Sequence, residues 1–243
     1  MIVRYSALQL TYESDRLPAL SGLAKQFAES LHGKVRYLAG LWENDLWRGL
    51  GWASHANTRR SKSLTLPSWS WISMKYLNDA ERRLQPHPPD QFWKGVFFSW
   101  DGGEFEHLIV DKHLQLLVIS GLEEDSAFSF MQAEGLSLKI RGVCVTSKSV
   151  PMDQYRLLNA DIFWDSREET LENKANVVFL LLGIVREGSE AESTMDESYR
   201  FLVLESSSAP EKFRRIGTGW TSLTWPGEKQ MFDDGKILDI ELV

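Results

Sequence analysis

Apolar positions in the first third of the chain recur at helical spacing. Leu17, Leu20, Leu23, Ala24, Phe27, Ala28 and Leu31 are three or four residues apart, which predicts an amphipathic helix over residues 15–32. Ser14 or Asp15 can cap it, Pro18 suits its first turn, and Gly33 suits its end. Trp42, Leu46 and Leu50 predict a second, shorter helix that stops at Gly49 and Gly51. The stretch Pro67-Ser-Trp-Ser-Trp-Ile-Ser73 then alternates with period two, which predicts a strand with Trp69 and Trp71 on one face and Ser68 and Ser70 on the other. Residues 78–90 are charged and Pro-rich, with no core pattern, and read as a surface loop or short helix.

Beyond residue 92, apolar runs of strand length alternate with turn signals. Expected strands are 93–100, 104–110, 113–121, 136–146, 176–186, 199–205, 212–219 and 236–242, broken at Asp101-Gly102-Gly103, Gly121, Ser147 to Pro151, Gly188, Ala209-Pro210 and Asp234-Gly235. Residues 136–141 alternate as a half-buried antiparallel strand should, whereas 176–185 is apolar throughout and predicts burial on both faces. Acidic Glu187 to Glu197 has nothing to bury and reads as a solvated loop. The expected fold class is α+β, with N-terminal helices packed on a mainly antiparallel β-sandwich or barrel. Residues 1–75 form a helical segment ending in the Pro-Ser-Trp-Ser-Trp strand, and 76–243 form the β-rich region that shares its core.

Composition narrows the function classes. The 243 residues carry 27 basic and 34 acidic side chains, a net charge of −7, which disfavours a nucleic-acid partner. A single cysteine, Cys144, permits no intrachain disulfide. The longest apolar run, Val177 to Val185, is half the ~20 residues needed to span a bilayer, and the N-terminus lacks a signal-peptide pattern. The expected compartment is the cytoplasm or nucleus, with no membrane span.

The ten tryptophans are unusual, and five of them lie before residue 75. Four ordered stretches surround them: Thr11-Tyr-Glu-Ser-Asp15-Arg16-Leu-Pro-Ala-Leu20-Ser-Gly-Leu-Ala24, Tyr37-Leu-Ala-Gly40-Leu-Trp42, Gly49-Leu-Gly-Trp52 and Pro67-Ser-Trp69-Ser-Trp71. Their order and spacing resemble the region that follows the HET domain in fungal heterokaryon-incompatibility proteins. Ala160-Asp-Ile-Phe-Trp-Asp165, Val177-Val-Phe-Leu-Leu-Leu-Gly183, Phe201-Leu-Val-Leu204 and Phe213-Arg-Arg-Ile-Gly217 resemble the β-rich tail of such proteins more loosely. Leu66 stands where the family commonly has Ala, and the chain contains no HET domain. A truncated paralogue, a gene fragment and one product of a split gene all fit. The resemblance implies a non-catalytic interaction or sensing region with a protein partner, acting in non-self recognition and cell-death signalling. It marks Asp15, Arg16, Gly40, Trp42, Pro67, Trp69 and Trp71 as motif residues.

Each chemical candidate has a plainer reading beside it. Trp42, Trp69 and Trp71 would make a stacking platform for a glycan or peptide, but buried aromatics are the commoner use. Arg16 beside Asp15 would read a carboxylate or phosphate, yet pairing or covering apolar surface is more usual. His107, Asp111 and His113 with Glu104 or Glu106 invite a metal-site reading, against which Asp111-Lys112 reads as a turn. Cys144 alternates with Ile140 and Leu138 and is expected to pack as a small hydrophobe. His32, His55 and His87 have no evident partner. The pairs Arg59-Arg60, Arg82-Arg83 and Arg214-Arg215 read as solvated faces. Paired carboxylates for a hydrolase are a remaining reading, and neither a nucleophile elbow nor a phosphate loop occurs. No catalytic residue, metal or cofactor is expected.

Overall fold

The computed structural model describes residues 5, 10–30, 35–54, 58–76, 96–98, 108–122, 134–147, 160–166, 169, 176–187, 196–207, 209, 211–222 and 230–243. The predicted first helix is α1 (Arg16–Ser30), entered through a 3-10 turn at Glu13–Asp15. Ser14 and Asp15 lie within that turn, where the Asp15 amide donates to the Tyr12 carbonyl at 3.2 Å. Leu17, Leu20, Ala24 and Ala28 are buried, whereas Leu23 and Phe27 are 50% and 53% exposed. The apolar stripe is therefore wider than the fold buries. Leu31, His32 and Gly33 lie outside the described residues.

A hairpin follows, β1 (Tyr37–Leu38) and β2 (Leu41–Trp42), turned by Ala39 and Gly40 with φ of 44° and 101°. Positive φ at both central residues matches the twist of the flanking strands. Trp42 belongs to β2, so the second helix, α2 (Leu46–Leu50), begins four residues later than its pattern predicts. The short strands β3 (Trp52–Ser54), β4 (Thr58–Arg60) and β5 (Met74–Tyr76) complete this part, with β4 paired to β5.

The Pro67–Ser73 strand does not form. The Ser70 amide donates to the Pro67 carbonyl at 3.1 Å, and Trp71–Ser73 is a 3-10 turn capped by Ser70 Oγ, which accepts from the Ile72 amide at 3.3 Å. Serine hydroxyls offer the backbone local partners that compete with a ladder. Here Ser73 Oγ also returns to the Ser70 carbonyl at 2.7 Å. Residues 67–74 are buried throughout, so the alternation of Ser and Trp marks no solvent face.

The remaining strands are β6 (Val96–Phe98), paired with β3, then β7 (Leu108–Val110), β8 (Gln115–Ser120), β9 (Ser137–Thr146), β10 (Ala160–Trp164), β11 (Val177–Glu187), β12 (Asp196–Ser206), β13 (Lys212–Ser222) and β14 (Lys236–Leu242). β10 is not among the expected strands; it is five residues long and none of them is fully buried, so its pattern carries little apolar signal. The pairings close on themselves in the order β11–β12–β13–β14–β9–β11, a barrel with an α-helical and Trp-rich part packed on it. The protein is thus α+β, with a mainly antiparallel sheet. Among the described residues only β13 and β14 run parallel, over two residue pairs, Lys212 with Glu241 and Phe213 with Leu242.

Two long strands share one edge between two neighbours. β11 pairs with β9 through residues 178–180 and with β7 through 183–185. The β7–β8 unit thus fills the gap where β9 and β11 diverge, with β8 on β9. Gly183 permits this, because a Cβ there would stand 2.2 Å from the Ile109 carbonyl oxygen. β13 likewise gives one edge to β14 at 212–213 and to β10 at 217–221.

Alternate residues of β11 and β12 enter two apolar clusters. Val178, Leu180, Leu182, Leu202 and Leu204 join Leu138, Ile140, Ile240 and Leu242 in a cluster that also holds Trp52, Trp69, Trp71, Leu17 and Leu20. Val177, Phe179, Leu181, Phe201 and Val203 pack on the other face with Ile216, Met231 and Phe232. The unbroken apolar run of β11 is therefore covered on both sides. Among the described residues no helix is long and apolar enough to cross a membrane.

Candidate functional site: a buried Arg-Asp-Arg assembly and an apolar groove

β13 is bulged against β12, so that Val203 faces Gly217 and Leu204 faces Arg215, leaving Ile216 over. A bulge bends a strand and re-aims its side chains. Arg215 is fully buried and its guanidinium carbon lies 3.4 Å from the Trp52 ring centroid. Its Nη1 donates to the Leu50 carbonyl at 2.6 Å, and its Nη2 donates to the Trp52 carbonyl and to Asp165 Oδ1, the latter at 3.0 Å. Arg60 approaches the same carboxylate from β4, donating Nη2 to Asp165 Oδ2 at 3.2 Å and to the Arg215 carbonyl at 3.0 Å. Its Nη1 reaches the Ser68 carbonyl and Ser73 Oγ, each at 2.9 Å.

Asp165, at the end of β10, has no exposed surface. Its carbonyl accepts from Ser54 Oγ at 2.8 Å and Thr58 Oγ1 at 3.2 Å, and its amide donates to the Ile216 carbonyl at 2.9 Å. Burial pushes its carboxyl above the ordinary range, and the Arg215 and Arg60 guanidiniums pull against that rise. Burial also brings Arg215 down to about 10. Burying ions is costly unless they are paired and hydrogen-bonded, and here one carboxylate serves two guanidiniums. Arg214, the next residue, holds Glu169 at 2.8 Å and Glu205 at 2.6 Å. Arg60 and Arg215 are thus not solvated faces but the inner ties of the molecule. A charge in an apolar strand, Arg215 between Phe213 and Ile216, was the available signal.

The motif residues divide between buried ties and one exposed wall. Asp15 is exposed, while Arg16 is buried and donates Nη1 to the Met74 carbonyl. Trp69 and Trp71 have no exposed surface, so the three-tryptophan platform is not formed and Trp42 alone retains exposure. Trp71 Nε1 donates to the Gly40 carbonyl at 2.8 Å, and Trp52 Nε1 to the Trp69 carbonyl at 2.8 Å. Pro67 supplies the turn acceptor for Ser70. A Cβ at Gly40 would stand 2.8 Å from Ile72 Cδ1 and 2.9 Å from Trp71 Nε1, at a φ that side chains avoid. Gly40→Ala is therefore expected to cost more than about 1 kcal/mol, read as a lowered Tm by calorimetry.

Asp111 Oδ1 accepts from the His113 amide at 2.9 Å, a turn rather than a ligand pair. His107, Glu104, Glu106, His32, His55, His87, Arg82, Arg83 and the loop 78–90 lie outside the described residues, as does 188–195 of the acidic segment. Among the described residues no cluster of His, Cys, Asp and Glu suits a metal. Cys144 is buried against the core, and burial pushes its thiol up to about 12.

A second ionic tie joins the entry of α1 to β5. Glu13 receives Lys75 Nζ at 2.7 Å, Ser63 Oγ at 2.8 Å and Ser61 Oγ. Hydrogen bonds from Lys75 and Ser61 hold its carboxyl at about 2. Stability from a depressed carboxyl is full above its unfolded pKa of about 4.3 and is lost as pH falls toward the folded value. Glu13→Gln is expected to lower stability at neutral pH and to flatten the acid limb between about 4.3 and 2, measured by urea unfolding across that range.

Between α1 and the β1–β2 hairpin lies an apolar groove of about 480 Å³. Leu20, Ala24 and Trp71 are buried beneath it, and Leu23, Phe27 and Trp42 stand at its exposed side. The Trp42 ring is fixed by Phe27 at 5.4 Å and Tyr37 at 4.9 Å between centroids. Unlike the ionic assembly, this surface meets solvent. No protein-family model, no curated protein and no solved structure matches this chain, so its chemistry rests on these two features.

Proposed function

We propose that this chain is a non-catalytic interaction or sensing region of the heterokaryon-incompatibility type, working in fungal non-self recognition and cell-death signalling through a protein partner in the cytoplasm or nucleus. One observation carries the reading. Stretches that bear the resemblance meet in a single buried assembly: Gly49–Trp52 supplies the ring under Arg215, Pro67–Trp71 supplies the Ser68 carbonyl, Ala160–Asp165 the carboxylate, and Phe213–Gly217 the guanidinium. Motifs that form one physical object have reason to occur as an ordered set. Their ionisable groups are spent on one another and leave nothing poised for acid-base work.

The test is genetic. Strains carrying the gene and strains deleted for it are paired against a panel of isolates of the same fungus. The expected result is that deletion abolishes a barrage or death reaction in at least one pairing, and that the wild-type gene restores it. Unchanged reactions across the panel, or turnover of a substrate by the purified chain, would overturn the reading.

A further inference from the structure

We propose that the groove between α1 and the β1–β2 hairpin binds an uncharged, ring-bearing small molecule. The first argument is the mismatch between pattern and burial in α1. A surface helix ordinarily turns its apolar stripe to the core, and an exposed cluster of large apolar side chains is the informative exception. Leu23 and Phe27 belong to the stripe by spacing and are half exposed, so the core leaves them uncovered although Phe27 touches Trp42. They stand four residues apart, on one face, beside Trp42.

Size selects the kind of occupant. The groove's volume of about 480 Å³ falls within the roughly 300–1,000 Å³ of small-molecule pockets. That is the room a small ligand takes.

Charge selects the chemistry. None of the described lining residues is acidic or basic, and the charges flanking Trp42 are engaged elsewhere: Glu43 with Arg36 through two hydrogen bonds, and Asp45 with Arg48 at 3.7 Å. An ionic ligand would lose its hydration with no partner to replace it. The walls instead offer ring faces and branched aliphatics: Trp42 held by Phe27 and Tyr37, Trp71 fixed by the Gly40 carbonyl, and Leu20 and Leu23 opposite. Such walls favour a planar or alicyclic ring system, offset-stacked on Trp42. Gln26 and Ser30 place two polar side chains at the groove; the Ser30 hydroxyl already donates to the Phe27 carbonyl at 2.6 Å, so it can only accept, and Gln26 can donate or accept.

The test uses the full chain and the uncharged probe N-phenyl-1-naphthylamine, with binding read from probe fluorescence and Trp energy transfer, and mass from sedimentation velocity. Saturable binding at one site per chain is expected, weakened at least tenfold by Leu23→Glu and unchanged by Ile237→Glu. Ile237 is equally exposed, at 51%, and lies on the barrel. Phe27→Gln serves in place of Leu23→Glu if circular dichroism shows that the latter is misfolded. The proposal is overturned by non-saturable binding, by equal loss in the Ile237 and groove variants, by binding that survives both groove variants, or by a dimer of the wild-type chain that Leu23→Glu dissociates.

Discussion

Asp165→Ala is expected to remove about 3–5 kcal/mol of folding stability, the cost of breaking a buried ion pair by deleting one partner. The loss comes less from the vanished attraction than from what stays behind. Arg215 has no exposed surface and Arg60 is only partly exposed, so two guanidiniums would face each other without the carboxylate between them. Asp165→Asn keeps the shape and one acceptor oxygen while removing the charge, and should fall between wild type and alanine. Equilibrium urea unfolding of the three proteins measures the order. Equal stability of wild type and Asp165→Ala would mean that the assembly contributes nothing to folding stability.

Trp71→Ala is expected to cost about 3–5 kcal/mol as well, through a different mechanism, because truncating a buried large aromatic leaves a cavity that the surroundings refill only in part. Trp71 touches three things at once. Its ring lies beneath the groove, its Nε1 satisfies the Gly40 carbonyl at 2.8 Å, and Tyr5 meets it edge-on at 6.3 Å. Trp71→Phe separates the contributions. It keeps most of the ring and leaves the carbonyl without a donor, a loss of about 1–3 kcal/mol. A Trp71→Ala protein with near wild-type stability would show that this tryptophan is not a core residue. A destabilised protein that still binds the naphthylamine probe normally would show that the groove does not depend on its floor.

Much of the architecture was legible in the apolar pattern, because period distinguishes α1 from β9, and an unbroken apolar run of strand length marks β11. The strands over 136–146, 176–186 and 236–242 fall within a residue or two of their expected bounds. Local pattern failed where tertiary burial covered every side of a segment. At Pro67–Ser73 the serines face protein carbonyls and amides rather than water, so polarity no longer reports exposure. The ionic assembly was barely legible for another reason: Arg60 lies 105 residues from Asp165 and 155 from the Arg215 carbonyl it binds, and apart from the place of Arg215 between Phe213 and Ile216 a basic pair does not tell a solvated arginine from a buried one. The groove was half legible. Leu23, Phe27 and Trp42 were visible as apolar positions, but that the core leaves them uncovered is a property of the packed molecule.

The parallel join of β13 to β14 spans two residue pairs, and Ser68 fastens it from outside the barrel. The Ser68 amide and hydroxyl both donate to the Val243 carbonyl, and the same hydroxyl accepts from the Arg215 amide at 2.9 Å. These contacts link residues 175 and 147 positions apart. Bringing such distant segments together carries a loop-closure cost before any contact rewards it, and chains dominated by non-local pairing fold in milliseconds to seconds. The last strand thus closes the barrel at the cost of ordering the tryptophan turn with it, and a Ser68→Ala chain is expected to refold more slowly than wild type, measured by stopped-flow tryptophan fluorescence.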